Sequence, residues 1–217
     1  MAIPETVTFF TDLGRNDYNV DVIILASGSP RRRELLSLLG LPFEVITSEA
    51  DESTPTDWTP EQIVCNLALR KAEAVISAVG ERKSVIIGSD TIVVLDDTVL
   101  GKPVNEVDST AMLTALQGRT HRVYTGVACI GLPDGKIWVD HRVTSVTMRA
   151  MSDNEIAAYI ATGEPADKAG SYAIQGLGAT LVERIEGCYF NVVGLPLSLL
   201  GGMLSRFGIT VLNQPGE

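Results

Sequence analysis

The sequence has few of the residues that build metal or disulfide sites. Its 217 residues include three dispersed cysteines, Cys65, Cys129 and Cys188, and two histidines, His121 and His141. An odd and scattered cysteine set excludes a disulfide framework and lacks zinc-ligand spacing, and two histidines disfavour a histidine-rich metal site. Free thiols are typical of a reducing compartment, so the sequence predicts a cytoplasmic protein.

Basic residues and long apolar runs are also scarce. Lys and Arg total 17 against 27 acidic residues, which gives a formal net charge of −10. Broad duplex nucleic-acid binding depends on clustered Lys and Arg, so this charge argues against it but leaves room for one small basic pocket. No run approaches the ~20 apolar residues that cross a bilayer. We therefore expect neither nucleic acid nor a membrane as a partner.

What remains is the composition of a globular domain. Apolar residues make up 45% of the chain and charged residues 20%, which excludes a disordered chain. The first 21 residues carry four acids and one arginine, unlike a secretory or transit peptide. We predict an N-terminal extension over residues 1–21 and one domain over residues 22–217.

Strand and helix signals alternate through the first half of this domain. The apolar run Val22–Ala26 predicts a strand, and Ser29-Pro30 predicts a capped helix start. A capping box at Thr59–Gln62 opens a helix that we expect to reach Val79. Two β-rich runs follow, Val85–Ile87 and Thr91–Leu95, which we expect to be separated at Gly88-Ser89-Asp90.

The second half continues the alternation. The predicted elements are a helix over Ser109–Gln117, a hairpin of strands His121–Ile130 and Ile137–Val146, a capped helix from Ser152 through Ile160, a loop over 163–178, a strand near Thr180–Ile185 and a helix over Pro196–Phe207. Because helices interleave with strands while the hairpin is antiparallel, we predict an α/β fold with a mixed sheet.

The turn after the first strand reads as an anion site. Ser27-Gly28-Ser29-Pro30 is followed by three arginines, Arg31 to Arg33. A helix N-terminus attracts anions and disfavours cations, so a bound anion would offset the cost of these arginines. The alternative is that the arginines extend over a surface helix.

Two charged residues interrupt apolar patterns. Lys71 falls within an apolar stripe of the second helix, and Asp90 within the β-rich region. A buried lysine and a buried carboxylate each need a charged or hydrogen-bonding partner. Together with Glu52 or Asp51, Asp90 would also suit Mg²⁺. The alternatives are a lysine whose stem reaches solvent and an aspartate that belongs to a turn. Lys102 in its loop carries only a weak signal by itself.

Seven blocks in order resemble the Maf family of nucleoside triphosphate pyrophosphatases. They are LASGSPRRRELL (25–36), LALRKAEAV (67–75), GSDTIVVL (88–95), LGKP (100–103), GRTHRVYTGV (118–127), EIAAYIATGEPADKAGSYAIQGLG (155–178) and GCYFNVVGLPL (187–197). The resemblance implies one catalytic domain with an elongated, two-lobed, inosine triphosphatase-like fold around a cleft, and a homodimer. Within the family, SDTIV and KAGSYAIQG look like the branch that acts on dTTP and UTP.

The resemblance also implies roles for individual residues. Asp90 corresponds to the catalytic acid-base residue and, with Glu52, to a ligand of Mg²⁺ or Mn²⁺. The positions linked to substrate choice are Arg31, Thr91 and Gln175. The positions that meet phosphate or metal are Ser27, Ser29, Arg32, Lys71 and Lys102.

The implied reaction is hydrolysis of dTTP or UTP to the monophosphate and pyrophosphate. Two alternatives remain open at this point. One is a purine-specific enzyme of the same chemistry, acting on 7-methyl-GTP or inosine triphosphate. The other is a non-catalytic nucleotide-binding regulator of cell division, against which the presence of Asp90 and the lysines counts.

Overall fold

The computed structural model describes residues 20–212, so residues 1–19 of the predicted extension lie outside the described part. The strands are β1 Val22–Leu25, β2 Phe43–Val45, β3 Ser84–Leu95, β4 Thr98–Leu100, β5 Thr120–Leu132, β6 Lys136–Met148 and β7 Val182–Glu186. They form one mixed sheet in the order β2-β1-β3-β5-β6-β7, with β4 paired to β3. The predicted mixed α/β class is confirmed, whereas the division into extension and domain stays a prediction.

The helices flank this sheet. They are α1 Pro30–Ser37, α2 Pro60–Glu73, α3 Ile76–Val79, α4 Glu106–Leu116, α5 Asp153–Ala161, α6 Tyr189–Val193 and α7 Leu197–Ser205. Ser29, Thr59 and Ser152 cap α1, α2 and α5 as predicted. Three 3-10 turns follow α5: Glu164–Asp167 and Ala169–Ser171 lie in the predicted loop, and Gly176–Leu181 begins in it and extends into the start of the predicted strand. None of the helices within residues 20–212 is long and apolar enough to cross a membrane.

Strand β3 is continuous where the sequence predicted a break. Gly88, Ser89 and Asp90 pair in register with Ala128, Val127 and Gly126 of β5. Gly88 is therefore a strand residue and not part of a turn. Because it has no side chain, the helix over residues 60–73 can pack directly on the strand. The alternative of Asp90 as a turn residue is wrong.

The helix predicted over residues 60–79 is two helices. Val75 adopts φ −102° and ψ −2° between α2 and α3. Val75 and Val79 both pack into the apolar cluster beneath this region, whereas Ala78 turns to solvent. The buried face therefore continues across the junction from Val75 to Val79 and does not include Ala78. Similarly, α4 begins at Glu106, capped by Asn105, and not at Ser109.

Two strands, β1 and β4, pair with opposite ends of the same edge of β3. On that edge β1 pairs with Ser84–Ile87 and β4 with Val93–Leu95, while β5 pairs along the opposite edge. The two ends of β3 also contribute to separate apolar clusters, one containing Val85 and Ile87 and the other containing Val93 and Leu95. On that face of β3, Ser89 and Thr91 therefore lie between two packed regions, while Ile92 packs into a further apolar cluster on the face that carries Asp90.

Candidate active site

A cavity of about 580 Å³ opens beside residues 90–93 of β3. It is lined by all ten predicted site residues: Ser27, Ser29, Arg31, Arg32, Glu52, Lys71, Asp90, Thr91, Lys102 and Gln175. These residues come from the β1–α1 turn, α1, α2, β3 and three separate loops. The fold thus brings the predicted residues together, and their individual roles stay predictions.

The lining of this cleft is more basic than the protein as a whole. Its cationic side chains are Arg31, Arg32, Lys71, Lys102 and Lys168, and its acidic side chains are Glu52, Asp90 and Asp167. Five cations against three acids reverse the sign of the chain's net charge of −10. A concave site of this sign concentrates anions.

Two glycines place α2 directly against the strands that carry Asp90. Gly88 lies two residues before Asp90 on β3, and Gly126 pairs with Asp90 from β5, so all three share one face of the sheet. A Cβ at Gly88 would lie 2.1 Å from the Ala68 carbonyl oxygen, and a Cβ at Gly126 would lie 2.2 Å from the Val64 carbonyl oxygen. The backbone of α2 can approach this closely because both positions lack a side chain.

This close approach joins Lys71 to two carboxylates. Lys71 Nζ lies 2.6 Å from Asp90 Oδ1 and 2.8 Å from Glu52 Oε1. The side chains of Lys71 and Asp90 are 13% and 10% exposed, so Lys71 does not extend into solvent. The hydrogen bond from Lys71 lowers the pKa of Glu52, which keeps this acid ionised.

The structure distinguishes Glu52 from its neighbour Asp51. Asp51 is exposed and accepts hydrogen bonds from the backbone N–H and the hydroxyl of Ser53, at 2.9 and 2.8 Å. The first of these bonds lowers the pKa of Asp51. Asp51 therefore closes a local turn, while Glu52 reaches the cleft.

Arg32 is fixed by neutral acceptors. Its Nε donates to the Gly194 carbonyl oxygen at 2.8 Å, and its Nη2 donates to Thr91 Oγ1 at 3.1 Å. Burial lowers the pKa of Arg32, but a guanidinium keeps its proton in proteins. We call Arg32, Lys71 and Asp90 the floor of the cleft.

Thr91 points to the opposite face of β3 from Asp90. Its hydroxyl lies 2.9 Å from Thr125 Oγ1, and Thr125 donates to the Asn191 carbonyl oxygen at 2.8 Å. With its proton committed to that carbonyl, Thr125 accepts from Thr91, which in turn accepts from Arg32. The sequence did not indicate this support by Thr125 for the site.

The opening of the cleft carries a looser ion pair. Arg31 Nη1 lies 3.8 Å from Asp167 Oδ2, with the two side chains 30% and 68% exposed. Lys168 contacts Asp167 and donates to the Glu164 carbonyl oxygen at 3.3 Å. We call Arg31, Asp167 and Lys168 the mouth of the cleft. Asp167 was missed because nothing local in the sequence indicates that it meets α1.

The remaining predicted residues lie around this frame. The Ser29 hydroxyl accepts from the Arg32 N–H at 3.4 Å as the α1 cap, and the Ser27 hydroxyl accepts from the Ser29 N–H at 3.2 Å. Lys102 is exposed in the turn after β4, and Gln175 is half-buried between two 3-10 turns. His121 is outside the cleft and bonds the Tyr172 hydroxyl at 2.7 Å, and burial lowers its pKa to about 4.

The two carboxylates that contact Lys71 suit a divalent cation. Asp90 and Glu52 both contact one ammonium nitrogen, so their oxygens lie close enough to share a cation. Within residues 20–212 no three Asp, Glu, His or Cys side chains form a metal-binding group. Mg²⁺ is commonly held by one or two carboxylates together with substrate phosphates and water, so a pair is sufficient.

A mixed α/β fold with a net-cationic cleft in which Lys71 joins two acids, Asp90 and Glu52, defines a protein suited to a polyanionic small molecule. The family described as Maf-like protein matches residues 22–207, and the chain belongs to this family. The resemblance drawn from the sequence blocks is thereby confirmed.

Curated relatives match most of the chain. A protein of Pelotomaculum thermopropionicum is 48% identical over 190 residues, covering 88% of this chain and 98% of its own. A protein of Moorella thermoacetica is 52% identical over 189 residues, covering 87% and 96%. Both bear the name dTTP/UTP pyrophosphatase. The Staphylococcus aureus Ham1 structure covers 59% of this chain and 72% of its own at 16% identity, but its TM-score of 0.38 is too low to inform the fold.

Proposed function

We propose that the protein hydrolyses dTTP and UTP to the nucleoside monophosphate and pyrophosphate. The observation that carries this proposal is the net-cationic cleft with Asp90 and Glu52 beside Lys71. Relatives at 48% and 52% identity that bear the name dTTP/UTP pyrophosphatase support the substrate assignment.

In the proposed reaction, a water oxygen attacks the α-phosphorus. Asp90 accepts a proton from that water, and the bond from the α-phosphorus to the oxygen bridging to the β-phosphate breaks. The electron pair of that bond leaves with pyrophosphate. Asp90 is held in place for this role by β3, and by the hydrogen bond from Lys71 at 2.6 Å.

The cations of the cleft neutralise the leaving group. An ammonium has three donors, of which Lys71 directs two to Asp90 and Glu52, leaving one for a phosphate oxygen. The guanidinium of Arg32 is fixed by its hydrogen bonds, whereas that of Arg31 can adjust to the substrate. Lys102 adds a further positive charge. Donors already in place where charge develops stabilise the transition state most effectively.

Asp90 and Glu52 would hold Mg²⁺ or Mn²⁺ together with the substrate phosphates. When bound, such an ion supplies Lewis-acid stabilisation of the phosphate charge. The proposal is supported by two carboxylates close together and by the hydrogen bond that keeps Glu52 ionised.

Gln175 is proposed to read the base. Its carboxamide oxygen accepts from N3–H of thymine or uracil, and its NH₂ group donates to O4. Thr91 contributes indirectly by orienting Arg32, to which it is bonded at 3.1 Å.

The test is product analysis across a panel of canonical and modified triphosphates with Mg²⁺ or Mn²⁺ in ¹⁸O-water. We expect dTTP and UTP to be used best, with the label in the monophosphate because water attacks the α-phosphorus. Diphosphate and phosphate as products would refute the chemistry. A preference for inosine or 7-methylguanosine triphosphate would favour the purine alternative, and binding without turnover would favour the regulator.

We also propose that the protein is a cytoplasmic homodimer, which follows from the family resemblance and the three free cysteines. Sedimentation equilibrium of the full chain tests the dimer, and a monomer at micromolar concentration would refute it. Fractionation of the source cells tests the location.

A further inference from the structure

The loop that carries Gln175 is held on both sides by two side chains outside the cleft. Glu164 Oε2 accepts from the Leu177 N–H at 2.9 Å, and Glu164 Oε1 accepts from the Gly178 N–H at 2.8 Å. The Tyr159 hydroxyl oxygen accepts from the Ala173 N–H at 3.1 Å. Gln175 lies midway between these attachment points.

The two side chains also act as one unit. The Tyr159 O–H donates to Glu164 Oε1 at 2.8 Å, so the hydroxyl connects the carboxylate to the other end of the loop. Burial raises the pKa of Glu164, but hydrogen bonds from Gly178, Tyr159 and Leu177 lower it by more than burial raises it. The pKa of Glu164 therefore lies below its usual value. The acceptor is therefore a carboxylate, whose bonds are stronger than those of a neutral group.

The backbone around this unit leaves no room for side chains. A Cβ at Gly176 would lie 2.6 Å from Glu164 Oε2, and a Cβ at Gly178 would lie 2.5 Å from the Tyr159 hydroxyl oxygen. Gly176 also has φ +63°, which favours glycine. The loop is thus fitted closely to this carboxylate and hydroxyl.

We propose that Glu164 and Tyr159 are positioning residues that set base selectivity by fixing the backbone on either side of Gln175. This inference rests on the proposed pyrophosphatase function. Neither side chain lines the cavity, so both act through the loop and not on the nucleotide. A hydrogen-bonding site discriminates strongly only when its donor and acceptor are held in place.

The test compares Glu164→Gln with Glu155→Gln in the full chain. The amide of Glu164→Gln keeps one acceptor oxygen and places a donor against an N–H or O–H. Glu155 is a suitable control because it also accepts from a backbone N–H and a hydroxyl, those of Ser152, but at the start of α5. Thermal unfolding of both variants establishes that they fold.

We expect Glu164→Gln to lower kcat/KM for dTTP and UTP about tenfold, mainly through KM, with smaller changes for dCTP and GTP. Inhibition by inorganic pyrophosphate, which has no base, should be unchanged. In a Gln175→Ala background, Glu164→Gln should no longer alter selectivity, because the side chain through which Glu164 is proposed to act on the base is absent. The control should retain wild-type selectivity.

An equal loss for all four nucleotides, or additive effects with Gln175→Ala, would overturn the proposal. A wild-type protein without dTTP or UTP hydrolysis would instead refute the proposed function. In that case backbone hydrogen exchange decides the inference: residues 173–178 should exchange faster in Glu164→Gln while β3 is unchanged. Unchanged exchange over residues 173–178 would overturn it.

Discussion

At the floor of the cleft, Lys71 and Asp90 are 13% and 10% exposed and lie 2.6 Å apart, whereas at the mouth Arg31 and Asp167 are 30% and 68% exposed and lie 3.8 Å apart. Charges removed from water interact strongly and stay in place, while exposed pairs are screened and reform easily. The floor is therefore suited to chemistry, which needs fixed charges. The mouth is suited to admitting and releasing an anion.

The largest effect should come from Asp90→Asn at the floor. This substitution keeps size and shape but removes the proposed proton acceptor, so kcat should fall about 10²–10⁴-fold. Nucleotide affinity measured by calorimetry without metal should hold or rise, because the cleft loses a negative charge that repels phosphate. Asp51→Asn, at an exposed acid outside the cleft, is the control. Wild-type turnover by Asp90→Asn would remove the proposed mechanism.

The next effect concerns the fixed guanidinium of Arg32. Lysine cannot reproduce simultaneous bonds to Gly194 and Thr91. Lost hydrogen bonds to a charged group cost about 1.5–3 kcal/mol, which corresponds to roughly 10–100-fold in kcat/KM. Arg33→Lys, at an exposed neighbour on α1, should leave kcat/KM unchanged. Equal kinetics of the two variants would show that the floor does not depend on this geometry.

A smaller effect is expected for Glu52→Gln. The hydrogen bond from Lys71 lowers the pKa of Glu52, so this carboxylate stays charged until the pH falls below its usual titration range. The contribution of this ion pair to the free energy of unfolding is present above the usual pKa of a glutamate. It is lost as the pH falls through the lowered pKa of Glu52. The amide should raise the Mg²⁺ concentration needed for half-maximal activity about tenfold, because a proposed charged ligand is removed. An unchanged metal titration would argue against Glu52 as a ligand.

The smallest effect should appear at the mouth. Asp167→Asn removes the exposed carboxylate that pairs with both Arg31 and Lys168, which leaves these cations available to substrate phosphate. Since exposed pairs contribute about 0–1 kcal/mol, KM for dTTP should fall by no more than about fivefold, and the difference should vanish as ionic strength rises. A change in kcat as large as that of Asp90→Asn would contradict the distinction between floor and mouth.

The sequence predicted those parts of the fold that have local causes. The caps at Ser29, Thr59 and Ser152 are formed by neighbouring residues, so the helix starts were predicted correctly. The continuity of β3 through Gly88 could not be read locally, because the glycine accommodates a helix that is distant in sequence. The short elements β2, β4 and α6 were missed, since three to five residues carry no periodicity.

The site shows the same division. Lys71 and Asp90 were identified because each interrupts an apolar pattern, and their contact at 2.6 Å explains both interruptions. Gln175 and Lys102 carry little pattern of their own and came from the family blocks. Thr125 acts through residues 34 and 66 positions away, and Glu164 through a loop 13 and 14 positions away, so neither contribution shows in a local sequence pattern.

The seating of α2 on Gly88 and Gly126 has a consequence for tolerance to substitution. The spacing between helix and strands is set here by backbone atoms on both sides, and backbone atoms are common to all residues. We expect changes in side-chain volume elsewhere under α2, for example at Ile86, to disturb the position of the helix over Asp90 less than a side chain at either glycine would. The alignment of Lys71 with Asp90 is thereby insulated from drift in the surrounding core, at the cost of two positions where any side chain would displace the helix.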